Sequence, residues 1–247
     1  MALKTILNYS PNFNHKKRFS KQIKFIIFHY TGMKKETESI NRLTNIQSKV
    51  SSHYLIKNNG EIINIVPDLY IAWHAGKSSW KNYKSLNQHS IGIEITNPGH
   101  EFGYKKFSKK QVSSLIKLSK SLIKKYKISA KNILGHSDIA PQRKKDPGEK
   151  FPWEYLFKNK IGIWHTLGKK ELLKNRKLNT NKIEKEFFLN NLFKIGYSKK
   201  TLKNQNNDKY LTDLTKAFQR RFRPEWISGK IDQESLLISK NIFKRYN

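Results

Sequence analysis

The stretch that most constrains this chain runs from residue 135 to residue 148, Gly-His-Ser-Asp-Ile-Ala-Pro-Gln-Arg-Lys-Lys-Asp-Pro-Gly. Prolines at 141 and 147 and glycines at both ends rule out a regular helix or a central strand, so the backbone must form a shaped loop. An imidazole, His136, and a carboxylate, Asp146, are fixed within it. Both are ligand types for a divalent ion such as Zn2+, and a catalytic zinc needs three protein ligands with one position left for water. The best candidate for the third is His29, which ends the apolar run Phe25-Ile26-Ile27-Phe28. That run reads as a buried strand, and Tyr30-Thr31-Gly32 stops it where the histidine emerges. Each residue also has a plainer reading. A lone histidine at a strand end is usually structural, and Asp-Pro-Gly is a good turn former.

The flanking segments suggest a mixed α/β sheet packed by helices. Residues 1–22 are polar and Asn/Lys-rich and read as an extended arm. Ile40, Leu43 and Ile46 give residues 36–48 a helical stripe. Residues 53–57 and 61–66 are β-rich runs around Asn58-Asn59-Gly60, which predicts a hairpin. Residues 67–86 form a long irregular segment with Trp73, His74, Trp80 and Tyr83, a loop type that more often carries a site than a mere connection. Ser90-Ile91-Gly92-Ile93-Glu94-Ile95 reads as a central strand with a carboxylate in its apolar run. Burying Glu94 costs several kcal/mol unless it is paired or protonated, so it is either tied to a lysine or placed there for chemistry. Ser108 opens the clearest helix, ending near Lys127, and Ile133-Leu134 leads into the His136 loop.

Beyond residue 166 the pattern changes. Residues 167–182 are Lys/Leu/Asn-rich with weak periodicity and read as a linker. Helical stretches follow at 183–193, 210–221 and 233–243. The expected division is therefore an arm (1–22), a main domain (23–166), a linker (167–182) and a small three-helix domain (183–247).

Taken together, Phe28-His29-Tyr30-Thr31-Gly32, Ser52-His53-Tyr54, Ala72-Trp73-His74-Ala75-Gly76, Ile91-Gly92-Ile93-Glu94, Gly135-His136-Ser137-Asp138 and Asp146-Pro147-Gly148 resemble the type-2 N-acetylmuramoyl-L-alanine amidases, most closely their AmiD/AmpD branch. The resemblance covers roughly residues 20–165, and the last three helices resemble the peptidoglycan-binding module found behind such domains. It implies the zinc amidase, or peptidoglycan-recognition-like, fold with one Zn2+ per chain held by His29, His136 and Asp146. It further implies Glu94 as general acid/base and Lys144, two positions before Asp146, as the cation facing the oxyanion. Tyr30, His53, Trp73, His74 and Asn97 are implied as substrate-binding. Asp138 is expected to brace the loop. His15, His89, His100 and His165 lack motif support and are expected at the surface.

The implied substrate is peptidoglycan or a muropeptide, intact or in the 1,6-anhydro form; a non-catalytic peptidoglycan-recognition protein is the alternative. The net charge is +32, but the positive charge is dispersed and nearly all lysine, 42 residues against 8 arginines. Such dispersion argues for a solvated surface with some attraction to anionic polymers, and against specific nucleic-acid binding. No cysteine is present, which excludes a thiolate ligand, a Cys nucleophile and any disulfide. No run approaches a membrane span, and residues 1–7 contain no export-signal pattern. A soluble protein, monomer favoured, is expected. The C-terminal helices favour the cell envelope or periplasm, whereas the missing signal points to the cytoplasm.

Overall fold

The computed structural model describes residues 5–199 and 207–246. The arm contributes two short strands, β1 (Ile6–Leu7) and β2 (Phe13–Asn14), ahead of β3 (Phe25–Tyr30). Next come α1 (Glu36–Thr44), β4 (Tyr54–Ile56), β5 (Ile62–Asn64), β6 (Ile71–Ala72), β7 (Ser79–Trp80) and β8 (Tyr83–Lys84). After β9 (Ser90–Ile95) the chain enters α2 (Lys109–Tyr126), β10 (Ile133–Gly135) and the one-turn helix α3 (His136–Ile139). Helices α4 (Trp153–Lys158), α5 (Lys169–Asn175), α6 (Lys182–Ile195), α7 (Asn207–Phe222) and α8 (Gln233–Tyr246) complete it.

Six strands form the main sheet in the order β1-β5-β4-β9-β3-β10, and the expected mixed α/β architecture is what the chain adopts. Strand β3 lies between β9 and β10, parallel to both, which explains why Phe25 to Phe28 are all apolar: parallel strands are covered on both faces. The hairpin pairs β4 with β5, as the Asn-Asn-Gly turn predicts. Helix α2 buries Leu115, Leu118 and Leu122 in the core. Its start is fixed by a reciprocal cap: the Gln111 amide donates to Ser108 Oγ (3.1 Å) and the Ser108 amide to Gln111 Oε1 (2.9 Å).

Two regions differ from the sequence reading. The arm is built into the sheets, with β1 running parallel to β5 and β2 pairing with β6. Strands of two residues leave no alternation to read. The expected linker contains α5, whose Leu172 is buried, and Arg176 just after it donates to Glu225 and to the buried Glu234. One hydrophobic core runs on from Phe25, Phe28 and Trp153 to Phe188, Leu192, Phe218 and Phe222 of the C-terminal helices. Among the described residues no helix is long and apolar enough to cross a membrane.

Candidate active site

Parallel pairing brings the site together. Phe28 pairs with Gly135 and His29 with Glu94, so His136, one residue past Gly135, comes level with His29 at the carboxyl end of the sheet. Open α/β sheets bind ligands along that edge. The loop after α3 then returns Asp146: the Ser137 amide donates to the Asp146 carbonyl (2.8 Å), and Pro147 lies so close to Gly135 that a Cβ there would meet its Cδ at 2.7 Å.

The three ligand candidates meet through single atoms. His29 Nδ1, His136 Nδ1 and Asp146 Oδ2 are each 3.0 Å from the other two, and all three residues are buried. Hydrogen-bond partners assign both imidazoles the same tautomer. His136 Nε2 faces the Ala75 carbonyl at 3.2 Å; a carbonyl only accepts, so Nε2 carries the proton and Nδ1 a lone pair. For His29 the assignment passes through two residues. The Ser90 hydroxyl donates to the Leu86 carbonyl (2.6 Å), which leaves its oxygen to accept from His74 Nε2 (3.1 Å). His74 Nδ1 must then accept from His29 Nε2 (3.0 Å), and His29 Nδ1 keeps a lone pair.

Three electron-pair donors thus face one point at 3.0 Å from one another, and with no proton on any of them no two can hydrogen-bond. Two neutral imidazole nitrogens and one carboxylate oxygen are a donor set for a divalent cation, and the outward nitrogens are already held, as in metal sites generally. The charge states agree. Burial, then the nearby His136, depress the His29 imidazole to about 4. Burial would raise the Asp146 carboxyl, yet the two histidines, His136 foremost, hold it well below the usual carboxylate range. Near neutral pH His29 is therefore neutral and Asp146 ionised, protonation states that suit a metal.

Glu94 stands beside His29 in the strand register and is partly buried. Its Oε2 is shielded from solvent and has no hydrogen-bond partner among the described residues. Burial, followed by the Asp146 charge, pushes its carboxyl up to about 8, against the pull of Lys144 and Arg42. Lys144 is partly buried, its charge bears on both Glu94 and His29, and Lys145 next to it is exposed.

The five substrate-binding candidates divide. Tyr30 and Trp73 keep exposed surface: the Tyr30 hydroxyl bonds His100 Nδ1 (2.8 Å), and Trp73 Nε1 donates to Asn14 Oδ1 (2.7 Å). The other three are buried with their polar atoms in use, so they support the site from behind instead of lining it. His53 Nδ1 accepts from the Gly92 amide (2.9 Å) and its Nε2 faces the Tyr70 carbonyl (3.1 Å). Asn97 donates to the Lys105 carbonyl (2.8 Å) and accepts from the Gly99 amide (3.1 Å). His74 orients His29, and Gly92 makes room for it, since a Cβ there would meet the imidazole Cγ at 2.4 Å.

Sequence reasoning missed several supports. His100, expected at the surface, links Tyr30 to Glu149, its Nε2 donating at 3.0 Å. His165 is also buried. Asp138 does brace the loop, accepting from the nearby Gly135 amide (2.8 Å), but two of its partners are remote: the Tyr197 hydroxyl (2.7 Å) and Arg221 Nη1 (2.5 Å). One signal was present. Three of the eight arginines lie within residues 220–223 of a lysine-rich chain, and guanidinium is the cation suited to buried pairing.

Comparison with known proteins decides the family. The model of the N-acetylmuramoyl-L-alanine amidase family matches residues 19–149, just over half of the chain. The chain belongs to that family. It is 34% identical over 237 residues to N-acetylmuramoyl-L-alanine amidase AmiD of Escherichia coli K12, covering 91% of this chain and 84% of AmiD. The AmiD structure, a complex with the substrate anhydro-N-acetylmuramic acid-L-Ala-D-gamma-Glu-L-Lys, superposes with a TM-score of 0.78 at 33% identity, covering 91% of this chain and 90% of that one. AmpDh3 of Pseudomonas aeruginosa gives a TM-score of 0.79 at 31% identity, with 96% and 97% of the two chains covered. The 1,6-anhydro-N-acetylmuramyl-L-alanine amidase AmpD of E. coli K12 is 41% identical over 105 residues, 42% of this chain and 55% of AmpD. The amidase family and the fold expected from the motifs are thus the family and fold of this chain.

Proposed function

We propose that this amidase is zinc-dependent and hydrolyses the amide between the lactyl group of N-acetylmuramic acid, in intact or 1,6-anhydro form, and the L-alanine of a stem peptide. The observation that carries the reading is the convergence of His29 Nδ1, His136 Nδ1 and Asp146 Oδ2, at 3.0 Å from one another, beside Glu94, whose Oε2 has no hydrogen-bond partner among the described residues. These three residues would hold one Zn2+, which supplies Lewis acidity toward the scissile carbonyl and lowers the pKa of a water. Glu94 takes a proton from the attacking water and returns it to the departing amine nitrogen, so protons balance and no covalent intermediate is needed. A carboxyl raised toward neutrality suits both halves of that transfer. Lys144 offsets the negative charge that gathers on the carbonyl oxygen.

The complete ligand set and the available acid favour hydrolysis over recognition alone. Work in cell-wall turnover or recycling follows from that substrate. AmiD and AmpDh3 share nearly the whole length of this chain, and anhydromuropeptides occupy both in solved complexes, which supports the anhydro form as one substrate. We place the protein in the cell envelope, with the C-terminal helices contacting the wall. The test is digestion of sacculi and of purified anhydromuropeptides side by side, with and without a chelator, and products identified by mass. Release of free stem peptide that stops on chelation and returns with zinc is the expected result. Intact muropeptide in every arm would contradict it.

A further inference from the structure

Two adjacent arginines of α7 reach opposite ends of the loop that carries the ligand candidates. Arg221 Nη1 meets Asp138 Oδ2 at 2.5 Å, and its Nη2 donates to the Ile133 carbonyl of β10 at 2.9 Å. Both charges are almost fully buried, Arg221 2% and Asp138 1% exposed, and the guanidinium lies 4.3 Å from the centre of the Trp153 ring. Asp138 also takes the Gly135 amide and the Tyr197 hydroxyl, so α3, which begins with His136, is held at its first turn from the C-terminal helices. At the other end Arg220 Nε stands 3.7 Å from Glu149, three residues past Asp146. Glu149 in turn holds His100, which holds Tyr30 next to His29.

The contact surface is close-packed as well. A Cβ on Gly196 would meet the Trp80 ring at 2.4 Å, Tyr197 packs edge-on against Trp80 with ring centres 4.8 Å apart, and the Lys81 amide donates to the Gly196 carbonyl at 2.6 Å. A tethered wall-binding unit has no need of such contacts. A buried ion pair fixes geometry well, and removing one partner leaves a stranded charge.

We propose that α7 sets the geometry of the metal site, with Arg221 and Tyr197, aided by Arg220, as positioning residues for His136 and Asp146. The C-terminal helices are then part of the hydrolytic machinery, whatever else they bind. This rests on the reading of His29, His136 and Asp146 as metal ligands. Residues that orient ligands from one shell out change metal affinity about 10- to 100-fold when altered.

The test uses the full chain with Arg221→Met, Tyr197→Phe and the double change Arg221→Met with Asp138→Asn. Zinc affinity is measured by chelator competition, the melting temperature is taken without metal, and turnover is followed on a soluble muropeptide, where wall binding has no part. Arg221→Met is expected to weaken zinc binding at least 10-fold and to lower turnover, and Tyr197→Phe to do the same more mildly. The double change should restore the metal-free melting temperature without restoring zinc affinity, which a merely structural role would not produce. Should Arg221→Met fail to fold, Tyr197→Phe and the double variant decide. Zinc affinity and turnover within about twofold of wild type in the folded variants would overturn the proposal. A wild-type chain that binds no zinc would overturn the metal reading itself, and this proposal with it.

Discussion

Two acids, Asp68 and Glu94, are shielded from solvent and meet opposite fates. Asp68 is buried and fully answered: the hydroxyls of Tyr54 and Tyr126 donate to it at 2.6 Å each, and Lys125 Nζ lies 2.8 Å away. Burial alone would raise its carboxyl, but Lys125 and the two tyrosines hold it below the ordinary value. Glu94, one strand away from Tyr54, has an Oε2 that receives nothing, and its carboxyl rises to about 8. Burial is common to the two. The supply of donors is what separates an acid that stabilises from an acid free to exchange a proton.

Substitutions can break that contrast. Glu94→Gln removes the proton carrier while keeping shape, and turnover should fall about 10²- to 10⁴-fold with zinc binding retained; steady-state kinetics beside metal analysis would show it. Lys144→Ala should cost about 10²- to 10³-fold in kcat, whereas Lys145→Ala, in an exposed side chain, should leave kcat within twofold. Asp68→Asn should do the reverse of Glu94→Gln. Stability falls by about 1–3 kcal/mol as hydroxyls and an ammonium lose their acceptor, and turnover per folded molecule is unchanged, as denaturant titration and active-site counting would reveal.

The smallest effect concerns pH and sharpens the contrast most. In the metal-free protein the raised Glu94 carboxyl holds its proton in the folded state after the unfolded chain has released it, so stability falls as pH rises from about 4.5 through about 8. Asp68 works the other way. Its folded-state value is depressed, so its contribution is present above the unfolded value of 3.8 and lost as pH falls through the folded one. Glu94→Gln should therefore match wild type near pH 4 and melt higher than wild type at pH 8. Equal melting curves at both pH values would remove the claim that Glu94 is held protonated.

How much of this was legible in the sequence follows the range of the interaction. Strands β3 and β9 and helix α2 are written in local pattern: apolar runs of a strand's length, and a Ser108 cap with Gln111 three residues on. The ligand candidates were legible too, because His29 and His136 lie at element ends and Asp146 is marked by the Pro-Gly turn that follows it. Histidines at 53 and 74 were misplaced because an imidazole that lines a cleft and one that braces it from behind look alike until partners are known. Gly92 touches both of them, and nothing local in Ile-Gly-Ile announces that. The grip of α7 on Asp138 spans 83 residues and joins parts that composition had divided by a linker.

The most direct test of the central claim is zinc titration of the metal-free chain and of its Glu94→Gln and His74→Ala forms, with turnover measured on each. The account predicts one zinc per chain in wild type, the same affinity without turnover in Glu94→Gln, and an affinity weakened about 10- to 100-fold in His74→Ala, where His29 loses the partner that fixes its tautomer. A wild-type chain that hydrolyses muropeptides at full rate without zinc, or a Glu94→Gln form that keeps its turnover, would contradict it.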